Sequence, residues 1–298
     1  MNKNSIYLLS PSGVVADAEA LSRAQARLAS FGYPASVDPD ALAQHQRFAG
    51  TDSMRLAAIQ RALQPENGSI VMATRGGYGL SRLLAQIDWS AVAHSGKRFI
   101  GYSDFTAFNL ALLAKTGAIS YSGPCALGDF GGLDEPDELT SALFDDVMQN
   151  RLEVLSFEAP QADAFDGRGI LWGGNLAMLA SLVGTPYFPD ISQGILFLED
   201  VGEPPYRVER MLTQLWHAGV LQQQQVILLG AFSDYRLGPL DRGYDMLAVI
   251  QWLRSTVGVP VIPGLPYGHI RTKATLPIGQ KVGCATEEGM AYLVLHDH

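Results

Sequence analysis

Ser103, Glu199 and His269 are three side chains whose types and order suit one chemistry, and each follows an apolar run. Arg98-Phe-Ile-Gly101 leads into Tyr102-Ser-Asp104, Gly194-Ile-Leu-Phe-Leu198 into Glu199-Asp200, and Val259 to Pro263, through the turn Gly264-Leu-Pro-Tyr-Gly268, into His269. A hydroxyl, a carboxylate and an imidazole in the order Ser, acid, His suit a hydrolase. In it the imidazole takes the serine proton and the acid sets the imidazole tautomer. Taken singly, each residue has a plainer reading. Ser103 or Asp104 can cap the helix that follows, Glu199 or Asp200 can cap the next turn, and a loop histidine is commonly a surface residue. Strand-end position admits either acid and does not show that the three side chains meet.

Other motifs also have a plainer reading beside the chemical one. Arg75-Gly-Gly-Tyr-Gly79 stands where a phosphate loop would stand, but Arg82 occupies the third glycine position of the dinucleotide pattern, and no Gly-Lys-Ser/Thr follows. What remains is a glycine-rich turn, either purely structural or with backbone N–H groups that can closely face a ligand. Lys115-Thr-Gly117 matches a penicillin-binding signature only by chance, because no Ser-x-x-Lys supplies that mechanism's nucleophile. His45, His94, His217, His296 and His298 have no metal-ligand spacing, and Cys125 and Cys284 stand far apart. A metal, a structural zinc site and a disulfide framework are therefore not expected.

The elements that must position these residues follow from periodicity and stop signals. Strands are expected at Ile6 to Leu9, Ala35 to Val37, Ser69 to Thr74 and Arg98 to Gly101. Helices are expected from Ala16 to Phe31, from Thr51 onward, after Gly79 through Leu84, and from Phe105 to a stop at Gly117. This alternation predicts an α/β fold whose N-terminal domain is a doubly wound, mostly parallel sheet. The pattern changes after Ser122-Gly-Pro-Cys125, and a polar, weakly patterned stretch follows a helix that ends near Met148. The expected division is an N-terminal domain at 1–150, a linker at 151–167 and a smaller C-terminal domain of mixed strands and helices at 168–298. The second domain shows strands at Gly194 to Asp200, Val226 to Gly230 and Val259 to Pro263, a helical stripe of Val208, Met211, Leu212, Leu215 and Trp216, and a closing hairpin around Glu287-Glu-Gly289.

Across 298 residues, 47% hydrophobic and 17% charged content describes an ordinary globular protein with ample core. A formal net charge of −9 argues against nucleic-acid and anionic-membrane partners. The apolar run Ile6 to Leu9 is too short for a signal h-region, and no longer run reaches membrane-spanning length. A cytoplasmic enzyme is expected.

The chain resembles the LD-carboxypeptidases, the muramoyltetrapeptide carboxypeptidases of bacterial cell-wall recycling, over nearly its whole length. The landmarks are Ser10-Pro-Ser-Gly13, Arg47-Phe-Ala-Gly50, Arg75-Gly-Gly-Tyr-Gly79, Gly101-Tyr-Ser-Asp-Phe-Thr106 and Ser122-Gly-Pro124. They continue in order with Leu171-Trp-Gly-Gly-Asn175, Leu198-Glu-Asp200, Arg207-Val-Glu-Arg-Met-Leu212 and Gly268-His269. The resemblance implies a serine peptidase with Ser103 as nucleophile, Glu199 as acid and His269 as base. It also implies an oxyanion hole from the backbone N–H groups of Gly77 and Asp104, no cofactor, a homodimer, and a site between two domains. The implied substrate is the murein tetrapeptide, or a sugar-linked form, cut between an L-centre of diaminopimelate or lysine and the terminal D-alanine.

Asn175 is a candidate for hydrogen bonding to substrate, or for organising the turn before its helix. Arg271 and Lys273, in a basic stretch without a family counterpart, are charge-based candidates for the substrate carboxylates or else solvated loop charges. The alternatives are a related peptidase that destroys a peptide–nucleotide antibiotic in self-immunity, and a non-catalytic muropeptide-binding module. The compact chain shows no insertion for a nucleotide base, and all three triad residue types are present.

Overall fold

In the computed structural model, which describes residues 4–296, the chain builds two sheets, one per domain. His298 lies outside the described residues. The elements of the first part are β1 (Ile6–Leu9), α1 (Ala18–Ser30), β2 (Ala35–Val37), α2 (Asp52–Ala62), β3 (Ile70–Ala73), α3 (Trp89–His94), β4 (Arg98–Ile100), α4 (Thr106–Thr116), β5 (Ser120–Ser122) and α5 (Glu138–Met148). The second part carries β6 (Val154–Glu158), β7 (Asp166–Asn175), α6 (Leu176–Leu182), β8 (Ile195–Val201), α7 (Pro205–His217), β9 (Val226–Ser233), α8 (Met246–Val257) and β10 (Val261–Pro263). It ends with β11 (Leu276–Ile278), β12 (Lys281–Glu287) and β13 (Met290–Val294).

The first sheet runs β11-β5-β4-β3-β1-β2, parallel throughout except for β11. Its central strands β1 and β3 are buried at every position, as a parallel sheet covered on both faces requires. The second sheet runs β10-β9-β8-β7-β12-β13-β6. It is parallel from β10 to β7 and antiparallel from β7 to β6. Local signals set the helix ends. Asp17 caps α1 by accepting from the Ala20 N–H, and Thr51 caps α2 by accepting from Met54. Gly117 ends α4 in the left-handed conformation at φ 71°, as its sequence position predicts.

Three expectations need correction. The segment 151–167 is no linker: β6 alternates exposed Val154, Ser156 and Glu158 with buried Leu155 and Phe157, and closes the second sheet against β13. Five residues with only two apolar side chains facing inward are a weak signal until a partner strand is known. The part after residue 168 is not wholly a second domain either, because β11 returns to pair antiparallel with β5 of the first sheet. The helix expected after Gly79 shortens to a 3-10 turn at Leu80–Arg82, with α3 following separately. No helix among the described residues is long and apolar enough to cross a membrane.

Candidate active site

Ser103 sits where β4 gives way to α4. Its φ is 62°, a left-handed conformation that a side chain with a Cβ adopts only at a cost. Ser103–Phe105 forms a 3-10 turn that runs straight into α4, so the serine stands at the N-terminal end of an eleven-residue helix, with its free N–H donors and positive dipole end nearby. The sharp strand-to-helix turn half-exposes Ser103, while Asp104 beside it is buried. A turn of this shape presents a nucleophile.

Glu199 and His269 are joined directly. The His269 Nδ1 is 2.8 Å from Glu199 Oε2, and Glu199 is fully buried at the end of β8. An Nδ1–H donating to this carboxylate leaves Nε2 as the nitrogen able to accept a proton. Gly268 permits the approach: its φ is 133°, and a Cβ there would stand 3.0 Å from Glu199 Oε2. The pairing of β8 with β9 is irregular between Leu198 and Asp200, and both acids of this bulge reach Asn175.

Asn175 lies on the neighbouring strand end, buried, and its side chain is occupied. Its Nδ2 donates to Glu199 Oε1 (3.1 Å) and Asp200 Oδ1 (2.9 Å), and its Oδ1 accepts from the Met178 N–H as cap of α6. Of its two expected roles, substrate contact and organisation of the turn, the geometry supports the second and leaves no amide hydrogen for the first. Asp200 accepts from the N–H groups of Ala177 and Val201, and burial pushes its carboxyl up to about 6 despite these donors. Glu199, not Asp200, touches the histidine.

Ser103 and His269 line one cavity of about 380 Å³ together with Arg75, Gly77, Tyr102 and Cys125. No hydrogen bond joins Ser103 to His269 in this structure; such bonds often tighten only once substrate is bound. The Tyr102 ring stands edge-on to the imidazole, 5.0 Å between centroids. The glycine-rich loop lies over the serine: a Cβ on Gly76 would come within 2.8 Å of Ser103 Oγ and 3.3 Å of the Asp104 nitrogen. Among the described residues, the N–H groups of Gly77 and Asp104 take no protein acceptor. Two unused donors beside an unhindered hydroxyl suit an oxyanion.

The Asp104 side chain ties these loops together. Its Oδ2 accepts from Ser12 Oγ (2.6 Å) and from the Leu80 N–H (3.0 Å), and burial raises its pKa. The fully buried Arg55 guanidinium lies beneath the same loop, donating to the Pro11 carbonyl and pairing with Asp52. Thr106 likewise joins the domains by accepting from the Asn175 N–H at 3.1 Å. Sequence reasoning singled out neither Ser12, Arg55 nor Thr106 as supports, although Ser12 and Thr106 fall inside two of the landmark motifs.

The two basic candidates after His269 leave the serine's cavity. Lys273 is buried, pairs with the buried Asp129 and lies 5.0 Å from the Tyr102 ring centre. Arg271 is exposed and faces Asp137 at 3.9 Å. Both line an adjoining cavity of about 360 Å³ that shares Tyr102, Gly128 and His269 with the serine's cavity and is walled also by Asp134 and Glu135.

Comparison with known proteins agrees with this architecture. The family model described as the LD-carboxypeptidase N-terminal domain matches residues 6–123, and that of the LD-carboxypeptidase C-terminal domain matches residues 168–283. A murein tetrapeptide carboxypeptidase of Pseudomonas aeruginosa is 30% identical over 92% of this chain and 91% of its own. The crystal structure of a muramoyltetrapeptide carboxypeptidase from Oxalobacter formigenes is 43% identical, covers 99% of each chain and superposes with a TM-score of 0.92. The microcin C7 self-immunity protein MccF, solved with aspartyl sulfamoyl adenosine, shares the fold with a TM-score of 0.89 at 21% identity, over 100% of this chain and 97% of its own.

Proposed function

We propose that this chain, which belongs to the LD-carboxypeptidase family and is a serine-type carboxypeptidase, releases the terminal D-alanine of the murein tetrapeptide by acyl transfer to Ser103. One observation carries the reading. A histidine whose Nδ1 is engaged by a buried glutamate shares a cavity with a serine held at φ 62°. His269 Nε2 takes the Ser103 proton as Oγ attacks the carbonyl of the third residue. The oxyanion that forms is met by the Gly77 and Asp104 N–H groups, each worth about 3–4 kcal/mol in the transition state. His269 then gives its proton to the departing D-alanine amine, and water releases the acyl group by the same roles reversed. Glu199 keeps the imidazole in the required tautomer and stabilises the imidazolium.

The names of the Pseudomonas and Oxalobacter relatives support the murein substrate. We place the reaction in cytoplasmic peptidoglycan recycling, by a homodimer, on the strength of the family resemblance. Mass spectrometry of tetrapeptide incubated with wild type and with Ser103→Ala tests the proposal. Wild type should release D-alanine, and the variant should lose roughly 10⁶-fold in kcat. Near-normal release by Ser103→Ala would sink the mechanism. A peptide–nucleotide substrate run in parallel separates the self-immunity reading, which rests on fold likeness alone.

A further inference from the structure

A carboxypeptidase must distinguish a free C-terminal carboxylate from a continuing chain, and a guanidinium near the scissile bond is the strongest side-chain partner for that carboxylate. The carboxylate of the departing residue sits one residue, about 3.8 Å along the chain, beyond the attacked carbonyl. Its partner therefore belongs to the cavity that holds Ser103. Among the described residues, the carboxylates and cations lining that cavity are Asp17 and Arg75. Asp17 caps α1 and pairs with Arg23, and it has the wrong sign. The other nearby cations, Lys273 and Arg271, line the adjoining cavity, and each already faces a carboxylate, Asp129 and Asp137 respectively.

Arg75 differs from both. Its Nη1 donates to the Val14 carbonyl at 2.9 Å, and no carboxylate pairs with it among the described residues. The guanidinium packs over Gly13: a Cβ there would stand 3.7 Å from both its central carbon and Nε. The side chain is thus anchored at one edge, and its remaining N–H donors are free for a planar anion. It stands two residues before Gly77, so the same loop that supplies an oxyanion donor carries the cation. We infer that Arg75 binds the C-terminal carboxylate of the substrate and makes the enzyme an exopeptidase, a reading that rests on the carboxypeptidase activity proposed above.

The test compares tetrapeptide ending in free D-alanine with the same peptide ending in D-alaninamide, for wild type, Arg75→Gln and Arg75→Lys. Wild type should favour the free acid in kcat/KM by roughly 10²-fold, the value of hydrogen bonds to a charged group. In Arg75→Gln the acid-to-amide ratio should collapse towards one, mainly through KM, and Arg75→Lys should restore part of it. A ratio that stays at the wild-type value in Arg75→Gln, or an equal loss on both peptides, overturns the assignment. Labelling of Ser103 by a neutral fluorophosphonate confirms that each variant retains a working nucleophile. If Arg75→Gln fails to label, Arg75→Lys decides by the same ratio. A second arm measures binding to Ser103→Ala by calorimetry, with the acid and the amide of a dipeptide ending in D-alanine. Preference for the acid there, lost on adding Arg75→Gln, supports the assignment even if wild type fails to cleave the tetrapeptide, an outcome that would remove only the substrate reading.

Discussion

At Ser103 the backbone is held in a region that costs about 1–3 kcal/mol for a residue with a side chain. The cost is met by what surrounds it: α4 continues the turn, and Asp104 binds Ser12 and Leu80. The two adjacent acids of β8 are separated by their partners. Glu199 accepts from His269, whereas Asp200 accepts from backbone N–H groups at the start of α6 and at Val201. Glu199→Gln should therefore lower kcat by roughly 10⁴-fold, as expected when a neutral amide no longer enforces the tautomer. Asp200→Asn should cost far less, about 10-fold, by loosening the α6 start. Steady-state release of D-alanine by the two variants checks this, and equal losses would contradict the assignment.

At the scale of elements, the glycine-rich loop and the Ser103 turn fit only because Gly76 has no side chain. Its φ does not require glycine, so Gly76→Ala isolates a steric effect. The new methyl would meet Ser103 Cβ at 2.7 Å and Oγ at 2.8 Å, and the turn must move. We expect a fall in kcat of roughly 10²-fold, the scale of losing one oxyanion donor, at a stability cost of about 1–3 kcal/mol for overpacking. Kinetics and a denaturant melt on the same preparation separate the two. Unchanged kcat would show that the loop can retreat without disturbing the site.

Across the whole molecule, His269 is held in the second domain by Glu199 and by Ser233 Oγ, which donates to its carbonyl, while the chain that follows it is fastened to the first. The segment after it is fastened to the start of α5 by Lys273 N–H to Thr140 Oγ1 (2.9 Å) and Thr272 Oγ1 to Asp137 (2.9 Å), then enters the first sheet as β11. Within this fastening lies the Lys273–Asp129 pair, both partners nearly excluded from solvent. Burial raises the Asp129 pKa even beside the ammonium, so desolvation offsets much of the attraction. Lys273→Met alone should destabilise by about 3–5 kcal/mol by stranding a buried carboxylate, and Lys273→Met with Asp129→Leu should recover most of that loss. Urea melts of the single and double variants decide. A double variant as unstable as the single one would mean that the charges themselves are needed.

Much of this protein is legible along the chain. Apolar runs mark β4 just before Tyr102-Ser103, β8 up to Glu199, and β10, which a five-residue turn separates from His269, because burial of both sheet faces leaves little room for polar residues within these strands. Stop and cap residues such as Gly117 and Thr51 place helix ends through local hydrogen bonds and φ preferences, which need no distant partner. What the chain alone left open depended on groups far apart in sequence. β6 is a strand because β13 lies beside it, and β11 belongs to the first sheet because β5 offers an edge. Asn175 serves the acids rather than the cavity because a bulge turns Glu199 and Asp200 toward it. Lys273 is spent on Asp129, 144 residues away, while no carboxylate among the described residues pairs with Arg75. Charge and residue type are local properties and can be read in order; which charge is already neutralised is decided only when the fold brings its partner within reach.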